Sequence, residues 1–219
     1  VPRPPARIAA TPVVLLADPG GGRVLFARQA DLRFVPASMT KVMSAYVAFE
    51  EMAGGQLKRE RAFTVSEAIA SEWNGKGTSL YLRAGDTVNA DQLLRAITTV
   101  SANDAAMVLA TGHAGSVAGW AALMNAQGQR LRMANSLFAT PNGWPDGGAT
   151  YVSASDLVRL ATALVERHPA EYRRYFGQKT MDWRGVRLQS HGPTVGVGAG
   201  ADGIKTGHTA EAGDHPLRS

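Results

Sequence analysis

The chain has 219 residues, 45% of them hydrophobic and 19% charged, a balance that excludes a disordered polypeptide and suits one large domain with a sizeable core. Its net charge of +5 is spread along the sequence, with no basic block of the kind that marks a nucleic-acid-binding arm. With no cysteine, it has no disulfide, thiolate metal site or cysteine nucleophile, and it contains no apolar run of membrane-spanning length.

From the amino end, Val13-Val14-Leu15-Leu16 and Arg23-Val24-Leu25-Phe26-Ala27 flank Asp18-Pro19-Gly20-Gly21-Gly22, which predicts a hairpin over 11–29. Pro36 biases the chain out of helix, and helical periodicity then runs from Ser38 through Met39, Val42, Met43, Tyr46 and Val47 to a stop at Gly54-Gly55. So apolar a helix is expected at the centre of the domain. Phe63-Thr64-Val65 reads as a strand and 66–88 as irregular chain. Asn89 or Asp91 caps a helix containing Leu93, Leu94, Ile97 and Val100, and Ser101-Ala102-Asn103 interrupts it. Asp104 is expected to cap the next helix, Ser116 the one after, and Ser153 or Ser155 another that His168-Pro169 ends. Strand-like pieces near 183–188 and a glycine-rich stretch lead to Ile204-Lys205-Thr206. Two outer strands, a helical middle and a final strand predict an α+β arrangement. Residues 11–35 and 180–213 lie on the sheet side, 60–165 form the helical insert, and a cleft opens between them.

Three short strings carry chemistry. Ser38 and Lys41 stand three apart, so on a helix they share a face and can touch. A serine hydroxyl needs a base to become a nucleophile, and a lysine becomes one only when burial or a nearby cation strips its proton. Lys205 can supply that cation and attract an anionic carboxylate. Ser101 can relay a proton, and Asn103 can donate to a substrate carbonyl. In Lys205-Thr206-Gly207, read as an edge strand, Thr206 bonds a carboxylate and Gly207 admits substrate backbone. The His208 backbone N–H forms an oxyanion hole with that of Ser38. Nothing in the spacing of His and acidic residues suggests a metal, and no cofactor is implied. Taken singly, Ser-x-x-Lys is expected roughly once by chance in such a chain, but all three strings in this order are not.

With Ser38-Met-Thr-Lys41, Ser101-Ala-Asn103 and Lys205-Thr-Gly207, the chain resembles the low-molecular-weight D-alanyl-D-alanine carboxypeptidases, penicillin-binding proteins of the DacA/DacC type. The likeness runs from about Thr11 to Gly213 and includes Gly77–Asp86 and Asn135–Gly143. It implies the transpeptidase-like fold shared with β-lactamases, an antiparallel sheet plus a helical subdomain. It implies that Ser38 attacks the bond between two terminal D-alanines of a peptidoglycan stem peptide and that Lys41 acts as base. Ser101 and Asn103 complete the pocket, and Lys205 and Thr206 hold the terminal carboxylate. β-Lactam antibiotics would acylate the same serine. A DD-endopeptidase or β-lactamase-like enzyme is the neighbouring alternative, although alanine stands at position 102 and no Glu-x-x-Leu-Asn loop occurs.

The chain stops soon after Gly207, so the expectation is a form truncated at the carboxyl end, lacking the family's last strands and closing helix. A truncated, non-catalytic relative that at most binds cell-wall peptide is therefore the second reading. Val1-Pro2-Arg3-Pro4-Pro5 reads as a trimmed terminus of an exported, periplasmic protein, with any membrane association lying outside this chain.

Overall fold

Helix α1 (Thr40–Ala53) is the axis of the molecule, entered through a single 3-10 turn at Ala37–Met39. From Val42 to Phe49 it is buried on every side, as its nearly continuous apolar and small residues require. The computed structural model describes residues 8, 10–18, 23–192 and 203–208. Around α1 pack α3 (Ala90–Thr99), α4 (Asn103–Ala114), α5 (Val117–Arg130) and α6 (Ala154–Arg167). Two shorter helices, α2 (Glu67–Trp73) and α7 (Pro169–Tyr175), lean on α4 and α3 respectively.

Most helix starts follow from local chemistry. Ser66, Ser116 and Ser153 each accept a backbone N–H from the first turn of the following helix. Asn89 and Gln92 satisfy each other's backbone donors in a capping box. Pro169 stands at the first position of α7, where its missing N–H costs nothing.

The expected first hairpin forms: β1 (Val14–Asp18) pairs with β2 (Arg23–Arg28), Leu16 opposite Phe26, with a bulge after Leu16. Its turn, Pro19–Gly22, lies outside the described residues. Strand β3 (Ala62–Thr64) pairs with β4 (Thr87–Asn89), and β5 (Thr180–Trp183) with β6 (Val186–Gln189) across Arg184-Gly185, both at positive φ. Among the described residues the ladders are three separate two-stranded ones, not a single sheet joining both ends of the chain. Hairpin β1–β2 sits on α6, whereas β5–β6 sits on α3 and is tied by the Trp183 indole N–H to the Leu80 carbonyl. The two hairpins thus rest on different helices and share no ladder among the described residues.

Two further expectations change. Residues 66–88 are not wholly irregular, because Ser66 starts α2. Asp104 does not cap α4: the cap position is Ala102, without a side-chain bond. The buried Asp104 carboxylate instead accepts from the Ser79 hydroxyl at 2.6 Å and from the Leu80, Leu82 and Ala105 backbone N–H groups. It thus fastens the 79–82 segment onto the start of α4. Asp104→Asn keeps the size but turns a donor towards these donors. It should lower stability by about 2 kcal/mol, read as the urea midpoint at unchanged slope.

Candidate active site

Ser38 is half-buried in the 3-10 turn, and Lys41 follows in the first turn of α1. The turn is forced by its neighbour. Gly143, at φ +71°, lies against the carbonyl of Ala37, which itself has φ +49°. The strap carrying Gly143 is bonded along α1, the Ser44 hydroxyl donating to the Pro141 carbonyl at 2.6 Å and the Trp120 indole to Ser44 at 3.2 Å.

Lys41 is only 1% exposed. Its Nζ reaches Ser38 Oγ at 3.1 Å, Asn103 Oδ1 at 2.7 Å and the Asn142 carbonyl at 2.7 Å. Burial, and then the positive charge of Lys205, hold its amine well below the ordinary lysine value, with Asp104 pulling the other way. A neutral amine beside a serine hydroxyl is a base in place.

Ser101 lies at the break between α3 and α4, buried, with φ +62°, in the left-handed region that side-chain-bearing residues seldom adopt. The next residue but one, Asn103, opens α4. Its Oδ1 faces Lys41 while its Nδ2 donates to the Lys76 carbonyl at 3.0 Å. One amide hydrogen expected to serve substrate is thus already taken by the chain.

Residues 203–208 belong to no strand in the described structure, which differs from the expected edge strand. They are held instead by close packing. A Cβ on Gly207 would stand 2.5 Å from the Pro36 carbonyl and 3.3 Å from the Met39 side chain, so only glycine lets the segment lie along the Ser38 turn. Half-buried Lys205 donates to the Thr206 carbonyl at 2.9 Å, and burial pushes its amine down to about 8. His208 follows, exposed. Ser38, Lys41 and Asn103 are joined by direct hydrogen bonds, and the 203–208 segment adjoins them through Gly207 and the charge of Lys205. Among the described residues there is no cluster of three or more His, Asp or Glu fit for a metal ion.

Three contributors escape sequence reading. Asn142 acts through its carbonyl, as does Lys76, and a backbone acceptor has no side-chain signature. Gly143 was legible only as the last residue of the family-like stretch Asn135–Gly143. Its contact with Ala37 spans a hundred residues of sequence.

This fold is that of the penicillin-recognising DD-peptidases. The D-alanyl-D-alanine carboxypeptidase DacD of Francisella tularensis superposes with a TM-score of 0.84 at 25% identity, over 92% of this chain and 60% of the other. A penicillin-binding protein from Listeria monocytogenes, in its cefotaxime-bound form, gives 0.77 at 28% identity over 88% of this chain and 77% of the other. The chain belongs to the D-alanyl-D-alanine carboxypeptidase family, whose model matches residues 2–217. The D-alanyl-D-alanine carboxypeptidase DacA of Escherichia coli is 36% identical over 203 residues, 91% of this chain. The chain spans about half the length of that relative.

Proposed function

We propose that the chain is the catalytic domain of a serine D-Ala-D-Ala carboxypeptidase that trims peptidoglycan stem peptides in the bacterial cell envelope. The observation carrying this reading is the buried Lys41 amine 3.1 Å from the Ser38 hydroxyl, held short of its usual basicity. Lys41 accepts the hydroxyl proton as Ser38 Oγ bonds to the carbonyl carbon between the two D-alanines. The backbone N–H groups of Ser38 and His208 steady the oxyanion. Lys205 and Thr206 hold the terminal carboxylate, Asn103 faces the substrate amide, and Gly207 lets the peptide lie close. The proton passes from Lys41 through Ser101 to the departing amine, free D-alanine leaves, and water hydrolyses the Ser38 ester. The membership of the family and the cefotaxime-bound neighbour support β-lactams as covalent inhibitors of the same serine. Residues 1–219 act as one catalytic domain, and a periplasmic setting, with a part in cell shape, follows from the substrate.

Labelling with a fluorescent penicillin tests this. The chain should take up one label, and Ser38→Ala should take up none. A folded chain that stays unlabelled would instead favour a non-catalytic, peptide-binding relative. Release of the bridging peptide from crosslinked muropeptides, in preference to terminal D-alanine, would favour an endopeptidase.

A further inference from the structure

Between α2 and Asp104's segment runs a short arm, Trp73–Thr78, that sequence periodicity leaves without a role. It crosses directly beside Asn103. The arm turns twice through glycine, Gly75 at φ +74° and Gly77 at φ +61°, conformations that side-chain-bearing residues rarely hold. Its Lys76 carbonyl accepts from Asn103 Nδ2 at 3.0 Å, and its Thr78 carbonyl from the Asn103 backbone N–H at 2.8 Å. Its root is fixed by an aromatic pair. Buried Trp73 meets Trp144 edge to face, centroids 5.5 Å apart, and Trp144 stands on the strap next to Gly143. The arm is fitted closely on this side, since a Cβ on Gly77 would lie 2.9 Å from Asn103 Nδ2 and 3.2 Å from the Trp144 ring.

A carboxamide has two unlike ends, and the one facing Lys41 decides what that amine meets. With Lys76 O engaging the NH2 end, the oxygen must point at Lys41 Nζ, as it does at 2.7 Å. Rotated the other way, Asn103 would turn its amide N–H to Lys41 and compete for the lone pair that must take the Ser38 proton, and Lys41 would lose one of its three anchors. We propose that the Trp73–Thr78 arm, clamped by the Trp73–Trp144 pair, is a positioning element that fixes the orientation of the Asn103 carboxamide and so holds Lys41 against Ser38. Trp144, Trp73 and Gly77 act through Asn103 and touch neither Ser38 nor Lys41 in any described bond. The inference rests on Lys41 being the working base.

The charged groups that act on Lys41 are Lys205 and Asp104, and neither is altered by the variants that test the arm. Lysine side chains are labelled isotopically and the Lys41 resonance, assigned by its loss in Lys41→Met, is followed against pH by NMR. In the parent chain Lys41 should titrate well below an ordinary lysine. Trp144→Ala and Gly77→Ala should each move that titration upward as water reaches the amine, and slow acylation by benzylpenicillin roughly tenfold or more. Trp144→Phe keeps an aromatic edge against Trp73 and should stay near the parent. Circular dichroism checks folding; if Gly77→Ala does not fold, Trp144→Ala alone decides. A Lys41 titration unmoved in the folded variants would overturn the inference, and an ordinary titration in the parent would overturn it together with the base. A depressed Lys41 in a parent that takes no penicillin would sink the peptidase reading while the variants still decide the arm.

Discussion

Lys41→Met should slow acylation of Ser38 by a penicillin by roughly 10²–10⁴-fold while the chain stays folded. Methionine keeps the length and apolar stem of the side chain and removes only the group that can take a proton. The carbonyl of Asn142 and the oxygen of Asn103 lose a donor, but the cost of burying an amine disappears with it. The two effects oppose each other, so the thermal midpoint should move little beside the change in rate. The pH profile supplies the sharper comparison. In the parent, kcat/KM should rise as Lys41 loses its proton, because only the neutral amine is a base. It should fall again through about pH 8, where Lys205 loses the charge that anchors a carboxylate. In Lys41→Met the rising limb should vanish and the falling limb remain. A variant acylated at the parental rate would remove Lys41 from the mechanism.

Gly143→Ala should lower stability by about 3 kcal/mol or more and abolish penicillin labelling. Its φ of +71° already disfavours a side chain, and the added Cβ would be driven into the Ala37 carbonyl and to 2.7 Å from the Thr40 hydroxyl. Neither neighbour can give way cheaply. Ala37 is main chain held at φ +49°, one residue before Ser38, and Thr40 begins the central helix. Relief would therefore come from shifting the serine itself. Gly128→Ala is the control: it lies within α5, its Cβ would meet nothing within 4 Å, and it should be neutral or stabilise by up to about 1 kcal/mol. Urea midpoints of the two variants separate the cases. A Gly143→Ala chain as stable as Gly128→Ala would show that the Ala37 contact does not constrain the turn.

Much of the local structure was legible because its causes are local. Ser66 apart, the polar residues that open helices were recognised as caps, and Gly54-Gly55 and His168-Pro169 end helices where they were expected to. The hairpin at 14–28 follows from alternation and turn residues. Asp104 misled because a first-turn carboxylate reads as helix chemistry. In the folded chain it is buried against the 79–82 backbone, a partner twenty-odd residues away that no short-range pattern contains. For β5–β6 only strand-like pieces near 183–188 were foreseen; their pairing across Arg184-Gly185 was not, and which helix a hairpin covers is set by packing rather than by its own sequence.

For the site, the sequence by itself determined which groups are present and one piece of their geometry. Ser38 and Lys41 meet because helical spacing brings residues three apart onto one face, and that is fixed by the chain's own covalent geometry. Only the tertiary structure decided what holds the lysine amine below its ordinary value. Its burial, the Asn103 and Asn142 oxygens around it and the charge of Lys205 arrive from segments 62, 101 and 164 residues further along. Desolvation is a property of everything that surrounds an atom, so no string of neighbouring residues can encode it.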